Sequence, residues 1–138
     1  MSDKRAFVDT NMLVYLYSGN DEDNDKRRCV HKEMRQYNCQ ISTQVLNEFS
    51  NICVKKLKIK ANEIRVLINQ ICSYCDLVYV DEDTINKALE LCSRYNYSYY
   101  DSLMLASALE YGCDYLLSED LSDGQIIEGS LAIKNIFT

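Results

Sequence analysis

The sequence predicts an α/β fold, a three-layer αβα sandwich with a mainly parallel central sheet. Short apolar runs of strand length alternate with longer segments whose apolar residues recur at helical spacing. Strands separated by helices return parallel to one another, with the helices on the sheet faces. Proline is absent and glycine occurs only four times, so the turn signals are polar clusters such as Ser18 to Asp25 and Ser122-Asp123-Gly124.

Taken in order, Arg5 to Asp9 reads as a strand and Asn11 to Tyr17 as the start of a short helix. Asp25 to Tyr37 is a charged helix, and Cys39 to Ser42 a second strand. Thr43 to Lys58 and Ala61 to Tyr74 follow as helices, and Leu77 to Val80 is a third strand. Asp83 to Arg94 is helical, and Asp101 to Tyr111 is a strongly apolar helix. Tyr115 to Ser118 and Leu131 to Ile136 read as the last strands. Ligands of such sheets bind beyond the carboxyl ends of the strands, so chemistry is expected there.

The 138 residues suit one domain, 1–138, with one core. No apolar run approaches the roughly 20 residues that span a bilayer. The stretch from Met1 to Asp9 is too short for a signal-peptide core, so a cytoplasmic location is expected. The seven cysteines are odd in number and irregularly spaced, which argues against a disulfide framework. Cys72-Ser-Tyr-Cys75 is a lone CxxC, and His31 is the only histidine, so a zinc site lacks its second half. A net charge of −6 argues against a general electrostatic binder of nucleic acid. It leaves room for an enzyme whose acidic site is neutralised by cations.

Four acids stand out by position. Asp9 ends the first strand, with Asn11 two residues on; capping of the next helix is the competing role. Asp120 follows the strand Tyr115 to Ser118 in the same way, accompanied by Glu119 and Asp123. Glu48 falls on the flank of a buried helix face made by Val45, Leu46, Phe49, Ile52 and Cys53. Asp101 heads the apolar stripe of Met104, Leu105, Ala108 and Leu109, although Ser98-Tyr99-Tyr100-Asp101 also fits a capping box. Crowded carboxylates suit hard divalent cations, which prefer oxygen ligands. Such ions activate water and stabilise a phosphodiester under attack. No Ser-His-Asp set and no glycine-rich phosphate loop is present.

The motifs are Phe7-Val8-Asp9-Thr10-Asn11, Val45-Leu46-Asn47-Glu48-Phe49, Tyr100-Asp101-Ser102-Leu103-Met104-Leu105-Ala106-Ser107-Ala108 and Leu116-Leu117-Ser118-Glu119-Asp120. In this order and spacing they resemble the PIN-domain family, especially the VapC-type toxin ribonucleases. The resemblance implies that Asp9, Glu48, Asp101 and Asp120 are catalytic, metal-binding acids. It gives Asn11 and Ser118 supporting hydrogen bonds and makes Asp123 an accessory ligand. Because the last acid occurs as Ser118-Glu119-Asp120 with a further Asp123, Glu119 and Asp123 compete with the favoured Asp120. The implied activity is Mg²⁺- or Mn²⁺-dependent endonucleolytic cleavage of RNA by an activated water. The implied partners are a cognate antitoxin, whose tail carries a basic residue into the acidic pocket, and a second copy in a homodimer, with no membrane.

Substrate grip has three candidates in the sequence. Lys26, Arg27, Arg28 and Lys32 cluster on one helix, and Lys55, Lys56, Lys58 and Lys60 at the end of another. Either could form a phosphate-binding rim or a solvated face. Tyr95, Tyr97, Tyr99 and Tyr100 could stack on unpaired bases or fill the core. The alternatives are a PIN nuclease that processes RNA without being a toxin, and a non-catalytic PIN-like binding module. A haloacid-dehalogenase-type phosphatase would need a second aspartate where Asn11 stands.

Overall fold

The structure is a computed structural model that describes residues 3–138; Met1 and Ser2, part of the N-terminal stretch discussed above, lie outside the described residues. The elements are β1 (Arg5–Val8), α1 (Thr10–Tyr17), a 3-10 turn (Asp21–Asp23), α2 (Asn24–Met34), β2 (Asn38–Ser42), α3 (Thr43–Lys55), α4 (Ala61–Tyr74), β3 (Cys75–Val78), α5 (Glu82–Tyr95), α6 (Tyr99–Glu110), β4 (Tyr115–Leu117), β5 (Ile126–Ile127) and β6 (Leu131–Lys134). The described strands form one sheet in the order β3-β2-β1-β4-β6-β5. All neighbours run parallel except β5, which pairs antiparallel with β6. The expected mainly parallel αβα architecture is therefore present.

This order locates a functional edge. From β1 the chain steps to β2 and β3 on one side, then returns to β4 on the other side of β1. Parallel crossovers are right-handed, so reversing the direction of travel moves the helices to the opposite face of the sheet. A crevice opens where the direction reverses, outside the carboxyl ends of β1 and β4. Both strands are buried on both faces: Ala6, Phe7, Val8, Leu116 and Leu117 have no exposed surface. That explains why they read as continuous apolar runs without alternation.

The helices are set by local chemistry. Ser42 caps α3, its side chain accepting from the Val45 N–H at 3.3 Å. Asp81 and Thr84 complete a capping box at the start of α5. Along α6, every residue from Ser102 to Ala108 is buried, so the helix is enclosed and not merely striped. It lies against β1, β2 and β4 beneath α5. The small side chains Ser102, Ala106, Ser107 and Ala108 allow that enclosure by letting neighbours approach closely.

Several boundaries differ from the expectation for identifiable reasons. The third strand is Cys75–Val78 and not Leu77 to Val80, because pairing with β2 sets it: Cys39 faces Cys75 and Ser42 faces Val78. Val80 instead gives its N–H to the Thr43 hydroxyl at 3.2 Å. α3 stops at Lys55, and Lys58 adopts a left-handed φ of 56° that no helix continues through. α2 ends at Met34, three residues before Tyr37, in a turn closed by Tyr37 N–H on Met34 C=O.

The hairpin β5–β6 has a turn the sequence hides. Glu128 and Gly129 have φ of 51° and 73°, and Ser130 N–H bonds to Ile127 C=O, as in a type I′ turn. Only Gly129 suits that conformation intrinsically. Glu128 is held there by Arg94, by Lys87 at 3.0 Å and by the Tyr95 hydroxyl at 3.0 Å, all from α5. Arg94, then Lys87 and Tyr95, depress its pKa from 4.5 to about 2. A depressed acid contributes stability that is present above its unfolded pKa and is lost as pH falls toward the folded value. Glu128→Gln is therefore expected to destabilise the protein near neutrality, with the gap to the parent closing between pH 4.5 and about 2. Urea unfolding across that range measures it; a gap independent of pH would contradict the clamp.

Candidate active site

Strand register brings the first two site residues together. β1 and β4 pair with Val8 opposite Leu117, so Asp9 and Ser118 leave the sheet side by side. Asp9 N–H bonds to Leu117 C=O at 3.2 Å, and the Ser118 hydroxyl donates to Asp9 Oδ2 at 2.9 Å. Asp9 occupies the N-cap position of α1 but makes no side-chain capping bond there. The Asn11 backbone N–H lies near enough only to favour its charge. The stronger side-chain bond of Asp9 is the one to Ser118, and the Asn11 N–H contact is what remains of the capping role.

Two residues further along each strand exit, Asn11 and Asp120 meet. The Asn11 side-chain amide donates to Asp120 Oδ2 at 3.2 Å. Glu119 and Asp123 are committed elsewhere. Glu119 accepts from Lys26 at 2.6 Å and from the Tyr15 hydroxyl at 2.5 Å. Burial pushes the Glu119 carboxyl up, but the bonds to Lys26 and Tyr15 together hold it below its usual pKa. Asp123 accepts from the Asn135 N–H at 2.8 Å and so belongs to a turn.

Glu48 and Asp101 come from the two helices that begin at this edge. α3 starts directly after β2, which places Glu48 in its second turn. α6 leads by its last turn into β4, so its first turn, carrying Asp101, sits beyond the strand ends. The Ser98 hydroxyl accepts from the Asp101 N–H at 3.2 Å, which is one half of the capping box. A helix N-terminus also favours an anion.

Electrostatics show that three of these acids share one environment. Asp9 is 6% exposed, and burial is the largest cause lifting its pKa from 3.8 to about 6. The Ser118 hydroxyl and the Asn11 N–H oppose that rise, while the charges of Asp101 and Glu48 add to it. Glu48 is raised by burial and by Asp101, against a stabilising contact from Gln44. One oxygen of Glu48 is buried without a hydrogen-bond partner, as is the Thr10 hydroxyl beside Asp9. Buried oxygens left unpaired cost free energy unless something fills their valence. An all-oxygen donor set with unpaired, mutually repelling members suits a hard divalent cation. Among the described residues no three of His, Cys, Asp or Glu converge into a finished metal cluster.

The basic and aromatic candidates sort differently. Lys26 bridges Glu119 and Tyr15, Arg27 bonds Asn24 and the Ser18 carbonyl, and Arg28 pairs with Asp25, so this cluster is largely spent within the fold. Lys55, Lys56, Lys58 and Lys60 are exposed, at the end of α3 away from the carboxylates. Tyr95 bonds Glu128, and Tyr97 bonds Gln125 and the Ser122 N–H, so both are structural. Tyr100, beside Asp101, is 56% exposed and stands against the Tyr99 ring. Sequence reasoning places Thr10 in the first motif without giving it a site role, and it missed Gln44. Gln44 stands four residues before Glu48, one helical turn, which could have paired them. No helix among the described residues is long and apolar enough to cross a membrane.

Known proteins share this architecture. The chain is similar in structure to a toxin–antitoxin complex from Klebsiella pneumoniae, at 19% identity over 95% of this chain and 97% of that one, with a TM-score of 0.70. It is similar to VapC20 of Mycobacterium tuberculosis, a sarcin–ricin-loop cleaving toxin, at 17% identity over 83% and 91% of the two chains, TM-score 0.65. A third is VapBC2 from Rickettsia felis bound to a DNA fragment of its promoter, at 15% identity over 95% and 99%, TM-score 0.67. No curated protein sequence matches the chain. The PIN domain model matches residues 6–122, spanning β1 to the loop after β4 and all the candidate acids except the turn residue Asp123. The chain belongs to the PIN-domain family.

Proposed function

We propose that the chain is a divalent-metal-dependent endoribonuclease, acting on single-stranded or structured RNA as the toxin of a type II toxin–antitoxin pair. The observation that carries this reading is the buried Asp9, whose carboxyl is raised to about 6 with Asp101 and Glu48 adding to the rise, at the crevice of a PIN fold. Perturbed acids gathered in a cleft are a mark of functional sites. The toxin and antitoxin parts of the reading are supported by the structural relatives, which include toxin–antitoxin complexes.

Asp9, Glu48, Asp101 and Asp120 would hold Mg²⁺ or Mn²⁺. When bound, the cation supplies charge stabilisation for the phosphodiester and activates the attacking water. The chain's own groups prepare that site. Ser118 fixes the Asp9 carboxylate through its hydroxyl, and Asn11 fixes Asp120 through its amide. Ordered supporting bonds of this kind keep ligands aimed before the ion arrives. Asp123 belongs to this proposal only as a brace for the Ser122–Gly124 turn, given its bond to Asn135. Exposed apolar side chains on α5, Ile85 and Leu89 one turn apart, offer a surface for a second copy. We extend the nuclease domain over residues 1–138 and place the protein in the cytoplasm.

The test is cleavage of RNA by purified, antitoxin-free protein with Mn²⁺. The parent is expected to cleave and to lose activity with a chelator. Asp120→Asn is expected to lower the rate at least about tenfold, the effect of roughly 1.4 kcal/mol in the transition state. Glu119→Gln is expected to keep most of the activity, since Glu119 faces Lys26. Equal losses in both variants would return the fourth position to Glu119. A parent protein that binds RNA and never cleaves it would favour the non-catalytic module.

A further inference from the structure

We propose that Cys39 and Cys75 form an oxidative modification site, at which a small hydroperoxide joins the two thiols in a disulfide that ties the edge strand β3 to β2. The inference is independent of the nuclease reading, because the pair lies toward the amino-terminal end of β2, away from the acids. Cys39 and Cys75 are direct register partners on parallel neighbours. Registered residues on parallel strands point to the same face, with strands about 4.8 Å apart. That spacing falls inside the roughly 4.4–6.8 Å range of Cα separations that a disulfide accepts. The two thiols are close enough to influence one another's ionisation, and the Cys39 thiol donates to the Met34 carbonyl at 3.3 Å. Both are free and almost wholly buried.

Access comes from one side. A cavity of about 890 Å³ is lined by Leu16, Tyr17, Arg35, Tyr74 and Cys39 itself. Its volume is ample for a molecule the size of hydrogen peroxide, and Cys39 forms part of its wall. Cys39 lines the cavity and Cys75 does not, which places Cys39 as the nucleophile and Cys75 as the thiol that resolves the intermediate. The Cys39 sulfur attacks the peroxide oxygen and the O–O bond breaks, giving a sulfenic acid and an alcohol or water. Cys75 then displaces the hydroxyl, releasing water. Two thiols lose two electrons and two protons, and the peroxide is reduced. Among the described residues no other two cysteines are register partners on neighbouring strands; Cys29 bonds the Ile136 carbonyl, Cys92 the Ser102 hydroxyl and Cys113 the Gln40 side chain. Cys72 is the exposed competitor, three residues before Cys75.

The test treats the reduced full chain with hydrogen peroxide, blocks remaining thiols, and maps peptides without reduction. The expected result is loss of two of the seven thiols, an intact mass lower by two hydrogens, and one Cys39–Cys75 cross-linked peptide that dithiothreitol reverses. The melting temperature is expected to rise by several degrees, because the bond closes the loop holding α3 and α4. Cys72→Ser should leave the cross-link unchanged, and Cys39→Ala or Cys75→Ala should remove it. A bond from Cys72 to either partner, disulfides only between chains, or retention of all thiols in the parent would each overturn the proposal.

Discussion

Asp9→Asn is expected to abolish metal-dependent RNA cleavage while making the cation-free protein more stable at neutral pH. The two effects have one cause. The Asp9 carboxyl has a pKa of about 6 in the fold against 3.8 when exposed, chiefly because burial opposes its charge. An acid raised in the folded state binds its proton more tightly there. Stability therefore falls as pH rises from about 4 to about 6, and the deficit persists above that window. A shift of this size corresponds to roughly 3 kcal/mol at most. Asparagine removes the charge and keeps an oxygen for the Ser118 hydroxyl.

In urea unfolding without added metal, the variant should exceed the parent at pH 7, and the two should converge below pH 4. Added Mn²⁺ should stabilise the parent selectively, since ligands stabilise the state that binds them. Cleavage should fall at least about a hundredfold, the loss of some 3 kcal/mol of transition-state stabilisation. Asp101→Asn should lose cleavage to a similar degree. A folded Asp9→Asn protein that cleaves at the parental rate would remove Asp9 from the site. A variant less stable than the parent at every pH would remove the electrostatic explanation.

The largest loss of stability is expected from Phe49→Ala. Phe49 is wholly buried and meets the Tyr17 ring edge-on at a centroid distance of 5.8 Å. Tyr17 in turn bonds the Tyr74 hydroxyl at 2.8 Å, so this side chain anchors α3 toward α1 and the end of α4. Truncating a buried phenylalanine costs about 3–5 kcal/mol through lost burial and a cavity. That is a large share of the roughly 5–15 kcal/mol that holds a domain together. Because Glu48 precedes Phe49 on the same helix, cation affinity should also drop in whatever fraction stays folded. The exposed Val54, one helical turn and a half further on, is the control: Val54→Ala should change stability by less than about 0.5 kcal/mol. Similar midpoints for the two variants would mean that α3 is not anchored through Phe49.

How much of this was legible in the sequence depends on the range of the interaction. The strands β1 and β4 are near-continuous apolar runs because both faces are covered, and they stood out at once. The two-residue strand β5 did not, since its turn depends on a glutamate held in a left-handed conformation by side chains more than thirty residues away. The full burial of α6 is likewise not encoded in its local periodicity. A stripe of Met104, Leu105 and Ala108 was visible, but the burial of Ser102 and Ser107 follows only from having the sheet on one side and α5 on the other.

By itself the sequence determined the order of the elements other than β5 and the 3-10 turn, the acids at the ends of the first and fourth strands, and the helical positions of Glu48 and Asp101. These follow from local periodicity and from where each apolar run stops. Tertiary structure alone decided which partner each of the later acids meets. Asp120 turns to Asn11, Glu119 to Lys26 and Asp123 to Asn135, three neighbours in sequence sent to three different partners. The register between β1 and β4 set Ser118 against Asp9 across 109 positions of chain, a pairing that no period in the sequence encodes. The raised pKa of Asp9 has the same origin, because burial and the charges of Asp101 and Glu48 exist only once distant segments have packed together.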